Sequence, residues 1–288
     1  PVIVVGNITV GGTGKTPVVL WLVDMLRQAG WRPGIVSRGY GGQVNGPAAV
    51  SPQSAARDFG DEPLLLARRA ACPVWVGRRR AEAGLALLAA HPEVNVVVAD
   101  DGLQHYALGR DVEVVVIDAG RGLGNGWRLP AGPLREARTR LNEVDAVVVN
   151  GSASAATTAQ LATLEPAWMH LDASVIYNLR QPDRRVGAVF FAGRPVHAVA
   201  GIGHPERFFA SLAALGIAAQ THAFADHHPF VAADLPAGDV LMTEKDAVKC
   251  AAIQRDDMWA LRVDAQVSDG LQTIILDKLK KTHGQQTA

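Results

Sequence analysis

An apolar, β-branched run at residues 2–5 leads directly into Gly6-Asn7-Ile8 and then Thr9-Val10-Gly11-Gly12-Thr13-Gly14-Lys15-Thr16-Pro17. The eight residues from Thr9 to Thr16 follow the phosphate-loop pattern GxxxxGK[ST], except that Thr9 stands where the first glycine usually does. The physics of the segment suits that reading. Glycines let the backbone fold tightly, so that successive N–H groups converge on one anion. The helix opening near Pro17 adds the partial positive charge of its N-terminus. Pro17 fits there because the first turn of a helix needs no N–H donor. Gly11, Gly12, Thr13 and Gly14, with Thr9 and Val10 before them, are thus the expected cradle. Lys15 is placed to reach the β- and γ-phosphates, and the Thr16 hydroxyl to coordinate Mg²⁺. A strand, a loop and a helix in this order favour a nucleotide site over a plain glycine-rich turn.

The rest of the chain repeats the alternation. Short apolar runs at 34–37, 73–76, 94–99, 112–117 and 146–149 predict strands. Amphipathic stretches at 17–28, 62–71 and 80–90 predict helices between them. Continuous apolar strands separated by helices imply a parallel sheet covered on both faces. A small polar stretch at 151–158 is expected to be a surface loop. At 169–180 and 187–191 the pattern changes to two extended runs around Gln181-Pro182-Asp183-Arg184-Arg185, which predicts a hairpin connector. Alternation resumes with a strand at 196–200, a helix at 205–215, a strand at 240–242 and a last helix at 271–281. The expected fold is α/β: a P-loop NTPase-like parallel sheet with helices on both faces, plus a smaller C-terminal α/β domain joined by a β-hairpin linker. The expected divisions are 1–167, 168–192 and 193–288.

Composition narrows the function. The 288 residues carry 28 Lys and Arg against 28 Asp and Glu, so a polyanion such as a nucleic acid is not the expected partner. Hydrophobic residues make up 48%, which excludes a disordered chain. The two cysteines, Cys72 and Cys250, form no CxxC pair; this argues against a disulfide scaffold or structural zinc and suits a reducing compartment. No apolar run approaches a membrane span, and no leader precedes one. Because Pro1 opens almost inside a strand, an N-terminal portion is expected to precede it.

Other motifs divide the nucleotide-binding proteins. Val10 occupies the position where regulatory ATPases of the partition and septum-positioning type carry an extra lysine, and the guanine-reading Asn-Lys-x-Asp is absent. Asp58-Phe59-Gly60 spells a protein-kinase metal motif without its companions and is a chance match. Asp100-Asp101-Gly102-Leu103-Gln104-His105 follows an apolar strand, where a phosphate-loop enzyme keeps its magnesium-organising acid. In Gly60-Asp61-Glu62-Pro63, Asp61 could cap a helix or act in catalysis. Ser37-Arg38-Gly39-Tyr40 sets a guanidinium beside glycine, and Arg78-Arg79-Arg80 could bind phosphate or start a solvated helix. Asp226-His227-His228 reads more readily as a turn than as a metal site, although a His beside a carboxylate can tune a general base. The charged run Thr243-Glu244-Lys245-Asp246-Ala247-Val248-Lys249 is expected to be a solvated face.

The loop Gly6 to Pro17, Ser37-Arg38-Gly39-Tyr40, Gly60-Asp61-Glu62-Pro63, Asp100 to His105, Pro130-Ala131-Gly132-Pro133-Leu134-Arg135-Glu136, Asp226-His227-His228 and Thr243 to Lys249 together resemble the tetraacyldisaccharide 4'-kinase family, the lipid A 4'-kinases of Gram-negative bacteria, in order and over nearly the whole chain. Thr9 is normal for that family. The resemblance implies transfer of the ATP γ-phosphate to the 4'-hydroxyl of a lipid A precursor, tetraacyldisaccharide 1-phosphate, with Mg²⁺. It implies that Asp61 is the catalytic carboxylate with His227 as its partner, and that Asp100 and Asp101 are the Walker B pair. Lys15 and Asp101 join the catalytic group, and Thr16, Asp100 and Glu136 the metal set. Arg38, Arg80 and His105 are implied to line the substrate site. The implied location is the cytoplasmic face of the inner membrane, with an N-terminal segment helping to seat the enzyme. The alternative is a P-loop ATPase switch acting on a protein partner.

Overall fold

The computed structural model describes residues 1–286. Its elements in chain order are β1 (Val2–Gly6), α1 (Lys15–Gln28), β2 (Pro33–Ser37), β3 (Ala48–Ala49), α2 (Ala56–Phe59), α3 (Asp61–Arg69), β4 (Val74–Val76), α4 (Arg80–Ala90), β5 (Val96–Asp100), β6 (Val112–Asp118) and β7 (Ala146–Asn150). Then follow α5 (Ala155–Leu161), β8 (Ala167–Asn178), β9 (Arg185–Val186), β10 (Val196–Ala200), α6 (Pro205–Ala214), β11 (Gln220–Ala223), β12 (Asp239–Thr243), α7 (Glu244–Ala247), β13 (Met258–Val267) and α8 (Leu271–Gln286).

The strands form one sheet in the order β11-β10-β12-β13-β8-β7-β6-β1-β5-β2-β4-β3, with β9 against β8. From β4 to β8 the neighbours are parallel. From β13 to β11 they are parallel again. The two sets meet where β13 runs antiparallel to β8, from Trp259 opposite Asn178 to Val267 opposite Met169. β7 pairs β8 only through Val148–Asn150 opposite Ala167–Met169, so β8 runs on past the carboxyl end of β7. β12 lies beside the far part of that ribbon and points back. The carboxyl ends of the two parallel sets therefore face one another, and ligands of open α/β sheets bind at such ends.

Both faces of the sheet are covered, as a parallel sheet requires. On one face, Val19, Leu22 and Leu26 of α1, Leu64 and Leu66 of α3, and Ile275 and Leu279 of α8 bury Ile3, Val98 and Val114. On the other, Ala83 and Leu87 of α4 and Leu161 of α5 cover Val4, Val97 and Val115. In the C-terminal half, Phe208 and Leu212 of α6 pack on Ala198 and Leu241.

Three local expectations change. The loop predicted over 151–158 becomes α5, because Ser154 caps it: its Oγ accepts from Thr157 N at 3.2 Å. The turn at 181–185 returns the chain onto β8 through β9. The run at 187–191 does not stay extended but forms a 3₁₀ turn, Ala188–Phe191, which sets Phe191 edge-on against Trp259 with ring centroids 5.7 Å apart. β13, which the apolar pattern did not mark, supplies the long partner of β8. No helix among the described residues is long and apolar enough to cross a membrane.

Candidate functional site

The phosphate loop is tied down through its carbonyls. Asn7 Nδ2 donates to Thr9 O at 2.8 Å and to Gly11 O at 3.3 Å. Asn150 Nδ2, from the end of β7, donates to Thr13 O at 3.1 Å. Arg121 donates to Val10 O at 3.2 Å and to Gly12 O. Thr9 is buried and makes a backbone β-bridge to Leu134. Gly14 caps α1 at φ 91°, and a Cβ there would lie 2.6 Å from Asn150 Nδ2. The N–H groups of Gly11, Gly12, Thr13 and Gly14 meet no protein acceptor among the described residues. That is the arrangement of an anion nest at a helix N-terminus.

Beside the loop, Lys15 Nζ lies 3.3 Å from Asp101 Oδ1, and Arg135 lies 3.5 Å from the same oxygen. Asp101 adopts φ +49°, which an Asp tolerates better than most residues. Asp100 ends β5 almost wholly buried and accepts from Ser37 Oγ at 3.1 Å. Burial pushes its carboxyl up to about 7; Glu62 and Asp101 push the same way, while Lys15 and Ser37 oppose. The Thr16 hydroxyl makes no hydrogen bond among the described residues. Among those residues no three His, Cys, Asp or Glu cluster as a ready metal cage. Mg²⁺ does not ask for one: it takes one or two carboxylates, waters and substrate phosphates. The hard oxygens of Thr16 and Asp100 fit that demand.

Asp61 opens α3, and Gly60 rather than Asp61 holds the capping position. Gly60 sits at φ +89°, and a Cβ on it would fall 2.3 Å from Tyr40 O. The buried Asp61 carboxylate accepts from Glu62 N at 2.8 Å and meets His227 Nδ1 at 2.8 Å. His227 comes from the other half of the sheet, 166 residues away. It stands at φ +60°, donates its N–H to Gly201 O at 3.1 Å, and tilts its ring against Tyr40 at 5.5 Å. His228, next to it, turns to Asp234 at 3.0 Å instead. Lys245 Nζ meets Glu62 at 3.1 Å. Burial alone would lower its ammonium, but Glu62, Asp61 and Asp226 outweigh that and hold it above its usual range.

The remaining predicted residues divide. Arg80 is buried, with its guanidinium spent on Gly77 O, Arg78 O and Asp101 O at 3.2, 3.3 and 3.4 Å, and its Nε finds no acceptor among the described residues. Burial lowers its pKa, Asp100 and Asp101 counter that, and Arg38 adds to it. His105 Nε2 accepts from Arg80 N at 3.2 Å. Burial, then Arg80, Arg110 and Arg38, hold the His105 ring below its usual range, which agrees with its role as acceptor from Arg80 N. Arg38 is exposed and makes no hydrogen bond or ion pair among the described residues. Glu136 takes Gln104 Nε2 at 2.6 Å, the Tyr106 hydroxyl, and Arg140 Nε at 3.5 Å. Gln104 also donates to Asn7 O at 3.0 Å, which ties Glu136 to the loop's approach without direct contact with Thr16 or Asp100.

The charged run at 243–249 is not a solvated face. Asp246 is fully buried and accepts from Thr243 Oγ1 at 2.7 Å and Gly201 N at 3.1 Å, with Lys249 Nζ at 2.7 Å. Glu244, also buried, is bound by Arg69. Residue patterns alone also passed over Asn7, Asn150, Arg121 and Lys245. Asn150 carried a usable signal, a polar residue closing an apolar strand, as Asp100 does.

Residues 1–280 match the family model described as tetraacyldisaccharide-1-P 4'-kinase. A tetraacyldisaccharide 4'-kinase of Dechloromonas aromatica is 55% identical over 285 residues, covering 97% of this chain and 84% of that protein. One from Aromatoleum aromaticum is 54% identical, covering 100% and 85%. The crystal structure of LpxK from Aquifex aeolicus in complex with ATP superposes with a TM-score of 0.79 at 28% identity, over 96% of this chain and 88% of that one. A phosphate loop with its acids in place, and matches of this extent, lead to one conclusion: the chain belongs to the tetraacyldisaccharide 4'-kinase family.

Proposed function

We propose that this enzyme transfers the γ-phosphate of ATP to the 4'-hydroxyl of tetraacyldisaccharide 1-phosphate, the step its relatives are named for. The observation that carries the reading is the Asp61–His227 contact of 2.8 Å, which joins the two halves of the sheet next to the acids of the phosphate loop. Asp100 feels both Glu62 and Lys15, so α3 and the loop act on one electrostatic field.

In this mechanism the acceptor oxygen forms a bond to the γ-phosphorus as the bond from that phosphorus to the β,γ-bridging oxygen breaks. The hydroxyl proton passes to Asp61, and ADP leaves. His227 donates from Nδ1 to Asp61 and fixes the carboxylate's direction. Lys15 and the loop N–H groups hold the triphosphate, and Asp101 positions Lys15. Positioning and charge stabilisation supply most of the rate in such transfers. Thr16 and Asp100 would hold Mg²⁺, with Glu136 tied to the loop's approach through Gln104, and the ion would supply charge neutralisation at the phosphates. Arg38, Arg80 and His105 line the substrate side, where the exposed Arg38 guanidinium and the unmet Arg80 Nε suit an anion.

An acceptor with four acyl chains lies in a membrane, so we place the enzyme at a membrane surface, on the cytoplasmic side where ATP is. Trp127 and Leu129, 67% and 54% exposed on the loop that pairs with Leu134 beside Thr9, support that placement. We divide the chain into 1–167, 168–192 and 193–288; the reversal of strand direction between β8 and β13 supports a junction there, while α8, at the end of the last segment, packs back on the core of the first. The test incubates the protein with γ-labelled ATP, Mg²⁺ and disaccharide 1-phosphate lipid in detergent. Labelled lipid is expected; ATP hydrolysis with no labelled lipid from folded protein overturns the reading in favour of an ATPase switch.

A further inference from the structure

β6 ends in Asp118, which is 2% exposed. Its carboxylate receives a guanidinium fork from Arg207 in the first turn of α6: Nη2 donates to Oδ1 at 2.9 Å and Nη1 to Oδ2. Oδ1 also accepts from Arg121 N at 3.0 Å, and Arg121 Nε lies 3.5 Å from it. Arg121 in turn donates to the carbonyls of Val10 and Gly12. Its guanidinium is pressed against the loop, since a Cβ on Gly11 would fall 2.5 Å from Nη1. A continuous path thus runs from α6 into the phosphate loop: a guanidinium fork to Asp118, a backbone N–H bond and a 3.5 Å ion contact from Asp118 to Arg121, and guanidinium–carbonyl hydrogen bonds from Arg121 to the loop. Burial works against the Asp118 carboxylate, yet Arg207 and Arg121 outweigh it and hold the group below its usual range.

The path has a second end. α6 follows β10 by a short loop that begins at Gly201, and Gly201 O accepts the His227 N–H at 3.1 Å. The same loop thus anchors His227, which meets Asp61, and launches Arg207, which meets Asp118. A displacement of this loop disturbs both contacts at once.

We propose that Arg207 and Asp118 are positioning residues for phosphoryl transfer. Through Arg121 they hold the phosphate loop in its binding shape and register it against the half of the molecule that supplies His227. Neither residue touches the reacting atoms. The inference rests on the reading of the loop as a triphosphate site. Bidentate charge-assisted pairs are specific in geometry as well as strong, so lysine replaces arginine here only in part.

The test measures equilibrium binding of a fluorescent ATP analogue with Mg²⁺, alongside kcat and KM for each substrate. Arg207→Ala and Asp118→Ala are each expected to weaken analogue binding about tenfold and to raise KM for ATP, with KM for the lipid unchanged. The double variant is expected to be no worse than either single one, because both cut the same path. Arg207→Lys should restore part of the affinity, and a thermal melt identifies folded variants. If Arg207→Ala fails to fold, Arg207→Lys and Arg207→Gln take its place with the same expected order. Unchanged analogue affinity in a folded Arg207 variant, or additive losses in the double variant, overturns the proposal. Failure of the unsubstituted enzyme to bind the analogue overturns the triphosphate reading and the proposal with it.

Discussion

Gly60 tests whether the position of Asp61 governs turnover. Gly60→Ala adds one carbon, which would lie 2.3 Å from Tyr40 O, a backbone atom that no side-chain rotation can remove. Real contacts of this kind essentially never fall below 3.0 Å, so the two segments must part by at least about 0.7 Å. The backbone at φ +89°, ψ 155° also lies where only glycine is at ease, at a cost of about 1–3 kcal/mol. For a chain of this size that predicts a fall in Tm of several degrees, at roughly 2–4 °C per kcal/mol. The displaced segment begins α3 with Asp61, whose carboxylate must stay within reach of His227. A misplacement approaching 1 Å costs on the order of 100-fold in rate. The expected result is a kcat reduced about 100-fold, measured by transfer of label to lipid, with ATP-analogue binding changed less than about threefold. Wild-type kcat in folded Gly60→Ala would refute the claim that this turn sets the geometry of Asp61.

Other substitutions separate the parts of the site. Lys15→Ala should abolish nearly all turnover, whereas Asp61→Ala should lower kcat about 100-fold or more and leave ATP-analogue affinity in place; a collapse of that affinity would remove Asp61 from its proposed role. Arg69→Ala strips buried Glu244 of its cation and should cost about 3 kcal/mol in denaturant unfolding, with Glu244→Gln in that background recovering part of the loss. Because Asp118 titrates below its usual range in the fold, its contribution to stability is complete above about pH 4 and is lost as pH falls through the lower folded value. Melting curves of Asp118→Asn should therefore depend less on pH in that acid range than those of the unsubstituted protein.

What could be seen in the sequence was whatever had a local cause. The phosphate loop, the acids closing β5 and most buried strands each depend on neighbours within a few residues. The charged run at 243–249 looked solvated because what buries it lies elsewhere in the chain: besides Thr243 and Lys249 within the run, Asp246 accepts from Gly201 N, 45 residues away, and Glu244 is paired by Arg69, 175 away. β13 escaped notice because Arg262 and Asp264 interrupt its apolar pattern, yet these two pair with one another, and Asp264 also pairs with Arg69. Asp118 closes an apolar strand as Asp100 does, but its meaning depends on Arg207, 89 residues on. Asp61 could be taken for a helix cap until Gly60 was seen to occupy that position. The Asp61–His227 pairing followed from family resemblance and not from spacing.

The antiparallel ribbon of β8 and β13 also has a mechanical consequence. It joins two blocks of strands whose ends oppose each other, and it is only two strands wide between them. Its register shifts between Arg262 and Asp264, and such a bulge bends and twists a strand. Sliding along the ribbon is barred, since one step of slip would turn Ile176, Leu261 and Ala265 outward from the core. Twisting breaks no ladder bond. Twist is therefore the deformation the ribbon resists least, and a change in that angle would change the distance between His227 and Asp61.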